Sequence, residues 1–310
     1  MQQRRPEASS ASADVQTIVQ LAREASVEIN VQDLKYLDAS RRFLPHGKRV
    51  YISHLPKQRW DETRLACREV CAAGFDPIPH IPVRLVESEA ALDGILEEAV
   101  SARVKEVLLI SGDYPQPAGP YSVVADVLCT GKLHQHGLKR VSFAGHPEGH
   151  PTVALEEIRR AELEKAALAE KLGLETTFVT QFFFEASPFL RWAAELRAQG
   201  IGRARLIAGL SGPAGIATLL KFARRCGVGA SIRALVARPS AFTKLMSDYG
   251  PEELVRDLAD VYAANASTFN GLHFFCFGGY LQTCAWLNKV AAGRISLGAR
   301  GIDLLRVDES

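Results

Sequence analysis

Between positions 144 and 151 the chain reads Ala-Gly-His-Pro-Glu-Gly-His-Pro, which places His146, Glu148 and His150 within eight residues. Two histidines four apart on a helix share a face and can hold zinc. Here Pro147, Gly149 and Pro151 forbid that helix. Three readings stay open: a metal site assembled by an irregular loop, a rigid turn whose polar groups solvate its own backbone, or a cradle for a polar cofactor that the glycines allow to approach closely. The stretch is preceded by the apolar run Val141-Ser142-Phe143. A strand that stops abruptly and presents polar side chains is how an active-site edge is built in an α/β protein.

The rest of the chain supplies more such edges. Apolar or alternating strands are expected at 26–30, 49–53, 77–83, 107–110, 139–144, 177–184, 205–209 and 272–277. Between them lie helical patterns at 15–25, from 31 to about 43, at 61–73, from Ser88 through Leu96, and at 122–128, 153–172, 188–198, 213–226, 251–266 and 280–290. Ser88 reads as a cap, Gly74 as a stop and Pro213 as a first-turn residue. Val107-Leu108-Leu109-Ile110 is apolar throughout, as suits a parallel strand buried on both faces. Eight strands alternating with helices predict a (β/α)8 TIM barrel of class α/β, with an open doubly wound sheet as the competing architecture. No glycine-rich dinucleotide fingerprint follows the first strand.

In a barrel the C-terminal strand ends form the active face. Those ends offer Glu28, Ser53, His80, the group Ser111, Gly112 and Asp113, the loop with His146, Glu148 and His150, then Gln181, and last His273 with Gly278 and Gly279. Glu28 either faces out and is solvated, or faces in, where desolvation would raise its pKa and make it a proton donor near neutral pH. Asp113 reads equally as a turn or cap residue. Gln181 stands beside three consecutive phenylalanines, where a primary amide can address a planar heterocycle through donor and acceptor together. His80 and His273, each taken alone, read as core histidines.

The chain has 310 residues, 47% hydrophobic and 23% charged, with formal net charge +2. No strong field argues for nucleic acid, and no apolar run approaches a membrane span. Residues 1–14 lack an apolar h-region and read as a disordered lead-in, leaving 15–310 as one domain. The six cysteines contain no C-x-x-C pair, which suits reduced thiols and a cytoplasmic location.

Taken together, 144–151, Thr180-Gln181-Phe182-Phe183-Phe184-Glu185, Ser26-Val27-Glu28, Pro79-His80, Ser111-Gly112-Asp113-Tyr114-Pro115 and His273-Phe274-Phe275 resemble the methylenetetrahydrofolate reductase family, in family order, over about residues 20–292. The resemblance implies a flavin barrel that interconverts 5,10-methylenetetrahydrofolate and 5-methyltetrahydrofolate, using FAD with NADH or NADPH as co-substrate, with a homo-oligomer expected. It also implies roles. Glu28 would be the general acid, and Asp113 the carboxylate near the flavin that also helps hold the pterin. Gln181 and Phe277 would bind folate. Ser53, His80, Ile110, Ser111, Gly112, Tyr121, Ala144, His146, Glu148, His150 and Lys165 would contact the cofactor, with no metal. The sequence departs from the family pattern at four places. His146 replaces an aromatic residue, Ser111 an arginine, Ala169 a lysine (with Lys165 one turn earlier), and Gly278-Gly279 an Asn-Arg pair. The losses at Ser111 and Ala169 thin the expected contacts to the FAD phosphates. Flavin-independent hydride transfer to folate and a non-redox folate-binding accessory protein are therefore the alternatives.

Overall fold

The computed structural model describes residues 14–112, 114–226 and 248–305. Eight parallel strands close into a barrel: β1 (Ser26–Ile29), β2 (Arg49–Ile52), β3 (Asp76–Pro82), β4 (Glu106–Ile110), β5 (Arg140–Gly145), β6 (Glu175–Phe182), β7 (Arg205–Ser211) and β8 (Gly271–Phe275). Each pairs with its sequence neighbours, and β8 closes the ring on β1 with Ser26 opposite His273 and Glu28 opposite Phe275. The barrel expectation holds, and the open sheet is excluded. Strand ends differ from expectation by one or two residues, and the 306–310 end lies outside the described residues.

Alternation sorts each strand into two faces. Val27, Val50, Ile52, Val107, Leu109, Val141, Phe143 and Phe178 pack outward with the helices in the main core. Tyr51, Ile78, Leu108, Val179 and Ile207 form a second, interior cluster. Below that cluster the strand beginnings carry charge. Arg49 stands opposite Asp76, Glu106 opposite Arg140, and Arg140 opposite Glu175. Glu106 is buried and accepts a 2.5 Å hydrogen bond from Ser142 Oγ, which in turn lies 3.1 Å from Tyr51 Oη. The lower half of the barrel is thus filled by side chains.

Several local readings need correction. Asp14, placed in the lead-in, caps the helix Val15–Glu24 by accepting from the Thr17 amide at 2.8 Å; residues 1–13 lie outside the described residues. The helix expected from 31 to about 43 is instead a 3-10 turn (Val31–Tyr36) followed by the short Leu37–Ser40. A tight cap, in which Asn30 Oδ1 accepts from the Gln32 amide and Asp33 Oδ2 from the Asn30 amide, suits that narrower winding. Pro213 does not open a helix. Ala214–Gly215 pairs with Asp248–Tyr249 as a two-residue ladder, so the helix begins at Ile216. The hairpin of Ile295–Leu297 with Ile302–Leu304 was not foreseen, its strands being too short to show a period. Ser88 does cap its helix, accepting from the Ala91 amide at 3.1 Å.

Lys48 is buried, and its ammonium donates to the carbonyls of Ala22, Arg23 and Ala25 at 3.4, 2.7 and 2.8 Å. It thereby satisfies the orphan acceptors at the end of the first helix, directly before β1. Lys48→Met keeps the stem but strands those carbonyls. It should destabilise the fold by about 1–3 kcal/mol, read as a lower urea midpoint.

Candidate active site

Glu28 faces the barrel interior, and its neighbours define the upper rim. Ser53 Oγ donates to Glu28 Oε1 at 2.7 Å. His80 Nε2 and His273 Nε2 approach the other oxygen, Oε2, at 3.4 and 3.6 Å. Neither Nε2 makes a hydrogen bond, although both are buried. The second nitrogen of His273, Nδ1, lies 2.9 Å from Ser26 Oγ, two residues before Glu28 on the same face of β1. The Tyr51 ring meets His273 edge-on at 4.8 Å and forms the floor. Four strands, β1, β2, β3 and β8, therefore converge on one carboxylate. Read singly, His80 and His273 looked like core residues; together they face Glu28.

The electrostatics reverse one expectation. Burial pushes the Glu28 carboxyl up, but the imidazoles of His80 and His273 and the Ser53 hydroxyl outweigh it and hold the group below the usual carboxylate range. Burial also pushes His80 down, against the attraction of Glu28 and with the help of repulsion from His273. Glu28 thus holds a proton less readily than burial alone would make it, because its partners arrive from three other strands.

The loop after β5 is anchored from behind. Glu162, on the helix Leu155–Lys171, is 1% exposed, and its carboxylate accepts from the His146 amide at 2.9 Å, Trp192 Nε1 at 3.0 Å and Arg159 Nη1 at 3.0 Å. Arg159 Nη1 also donates to the His146 carbonyl at 3.1 Å. Both sides of His146 are thus clamped by one ion pair. Burial raises the Glu162 carboxyl, but these donors and the Arg159 charge leave it lowered overall. The His146 and His150 rings stand edge-on at 5.9 Å, and His150 Nδ1 lies 3.1 Å from Thr152 Oγ1. Sequence reasoning missed Glu162, Arg159 and Ser26. The signals were present: Glu162 sits on the buried stripe with Ile158 and Ala169, and Ser26 shares strand parity with Glu28.

The other expected residues lie in several places. Ile110 and Ala144 are half-buried and close the inward faces of β4 and β5. Gly112 has φ +87°, with the Tyr114 ring 3.0 Å and Pro82 3.1 Å from where a Cβ would stand, so any other residue would be strained and crowded there. Tyr121 is buried. Gln181 lies in a bulge of β6, where the register against β7 slips between Val179 and Phe182. That bulge is made possible by Gly209, whose missing side chain would collide with the Thr180 carbonyl. Phe277 has φ +42°, a strained backbone for a bulky residue, and packs against Phe182 at 4.8 Å and Phe222 at 4.6 Å. The Lys165 ammonium is not brought to the Glu28 cluster; it lies 5.5 and 5.9 Å over the rings of Phe143 and Phe178, between helix and sheet. Asp113 lies outside the described residues.

Two measurements test this geometry. Glu162→Gln should leave Arg159 with only the more exposed Glu195 as a charged partner and loosen the loop, costing about 2–4 kcal/mol of stability in urea unfolding and speeding proteolysis near His150. Because folded His80 resists a proton that the unfolded chain accepts below pH 6.5, its contribution to stability is present above 6.5 and is lost as the pH falls below it. His80→Gln should flatten that acid-side slope in thermal midpoints recorded against pH.

The profile of the family described as methylenetetrahydrofolate reductase matches residues 57–277 of this chain. Glu28 and Ser53 lie upstream of that match. A 5,10-methylenetetrahydrofolate reductase of Pectobacterium carotovorum subsp. carotovorum is 27% identical over 157 residues, which span 50% of each chain. The chain thus covers about half the length of that curated relative. Among solved structures, an uncharacterized protein from Clostridium thermocellum that binds two copies of 5-methyl-5,6,7,8-tetrahydrofolic acid superposes with TM-score 0.55 at 12% identity, over 88% of this chain and 97% of that one; at that identity the likeness is one of fold. With most of its barrel inside the matched span, the chain belongs to the methylenetetrahydrofolate reductase family.

Proposed function

We propose that this chain is an oxidoreductase that interconverts 5,10-methylenetetrahydrofolate and 5-methyltetrahydrofolate. In the reducing direction, NAD(P)H and one proton are consumed and NAD(P)⁺ is released. The observation that carries the reading is the Glu28 cluster: a carboxylate at the end of β1, inside the barrel, facing two imidazoles at the rim. Opening the methylene bridge requires a proton at the folate nitrogen, and that demands a positioned acid.

The rim suits a flavin. The two buried Nε2 atoms lack hydrogen bonds, Ile110 and Ala144 leave a low apolar wall suited to a flat ring, and Gly112 and Gly149 both adopt positive φ beside it. Ser53, His80, Ile110, Ser111, Gly112, Tyr121, Ala144, His146, Glu148 and His150 would hold the cofactor. When bound, FAD carries hydride between nicotinamide and folate. The protein's own part is to exclude water, orient the pterin through Gln181 and Phe277, with Asp113 beside it, and move one proton. His273, between Ser26 and Glu28, is placed to pass a proton to the carboxylate as the substrate takes one from it.

A second reading, hydride transfer without flavin, is favoured by one observation: the Lys165 ammonium is held over Phe143 and Phe178, and Ser111 brings no charge to the rim. The visible spectrum of purified protein separates the two. A flavin band with NAD(P)H-coupled folate turnover supports the first; colourless protein that turns over with no added FAD supports the second. Binding of folate without hydride transfer under either condition would reject both. Glu28→Gln should lose about 100- to 10,000-fold in folate turnover while flavin reduction by NAD(P)H persists, measured by stopped-flow absorbance. Undiminished folate turnover would remove Glu28 from the acid role.

A further inference from the structure

Among the described residues, the segment from the end of β4 to the helix Val124–Cys129 contains no regular element, yet it carries Ser111, Gly112 and Tyr121. It is docked on the turn that leaves β3, and Arg84 in that turn makes most of the connection. The Arg84 amide donates to the Ser111 carbonyl at 3.3 Å, and its own carbonyl accepts from the Ala118 amide at 2.8 Å. Its side chain then reaches further along the same segment: Nε donates to the Ser122 carbonyl at 2.8 Å, and Nη1 to the Tyr114 carbonyl at 2.9 Å. Two glycines bring the backbones together at either end. Gly112 abuts Pro82, and a Cβ at Gly119 would collide with the backbone of Val86 and Glu87.

A planar guanidinium is the side chain suited to this task. It offers five N–H donors in a fixed fork and so can hold two carbonyls at a set spacing, whereas an ammonium is a point charge on a flexible stem. Arg84 also brings a permanent positive charge to the segment in which Ser111 brings none.

We propose that Arg84 is a positioning residue, which fixes the 111–122 segment in the shape that receives the cofactor. This rests on the flavin reading above. The test compares wild type with Arg84→Ala, Arg84→Lys and Gly119→Ala, using FAD titration by fluorescence quenching, amide hydrogen exchange, thermal midpoint, and kcat and KM for folate. For Arg84→Ala we expect FAD affinity to fall at least about tenfold, with faster exchange confined to 111–122 and a rise in KM larger than the fall in kcat. Arg84→Lys should recover part of the affinity. If Arg84→Ala unfolds the protein, Gly119→Ala, which leaves the guanidinium in place but displaces the segment, should show the same loss of affinity. Wild-type affinity and wild-type exchange in Arg84→Ala, or wild-type affinity in Gly119→Ala, would overturn the proposal. A wild-type protein that binds no FAD would end the flavin reading instead; exchange across 111–122 would still decide whether Arg84 holds the segment.

Discussion

A carboxylate inside a protein must be either neutralised or surrounded by donors, and Glu28 is surrounded. Ser53 binds one oxygen while His80 and His273 face the other, so the ionised form is retained despite burial. This one requirement fixes much else. It places β1 next to β2 and β8, gives β3 a histidine at its inward C-terminal position, and puts Ser26 behind His273. Removal of either imidazole would leave a buried charge short of partners. The cluster is therefore an element of stability and, under the proposed function, the place where a proton would be traded.

The two walls of the rim are built differently. On the side of β5 and β6, rigidity comes from a buried ion pair: Glu162 and Arg159 clamp the peptide of His146 on both sides, and Trp192 adds a third donor. On the side of β3 and β4, it comes from backbone-to-backbone docking at glycines, secured by one guanidinium. Irregular loops can present functional groups with the accuracy of strands only when their backbone polar groups are satisfied in this way.

The architecture was legible in the sequence because parallel strands buried on both faces leave continuous apolar runs such as Val107 to Ile110, and because strand ends stop at Gly, Pro and polar residues. The inward face of Glu28 was legible only as an alternative, since strand parity gives two faces and does not say which is inside. Its electrostatics were misjudged because desolvation can be read from one residue, whereas the opposing imidazoles arrive from strands 52 and 245 residues away. The failed helix start at Pro213 has the same origin. The ladder that takes up Ala214 and Gly215 comes from residues 248 and 249, beyond any local window. Arg84 was invisible for a simpler reason: its partners are carbonyls, which every residue has.

The filled lower half of the barrel has a consequence for traffic. Among the described residues, Tyr51, Ser142 and Glu106 are joined by hydrogen bonds across the interior and occupy the axis beneath the Glu28 cluster. The side chains stacked beneath Glu28 leave the strand ends as its open approach. Two bulky reactants that need the same wall would have to queue, each vacating before the other can enter.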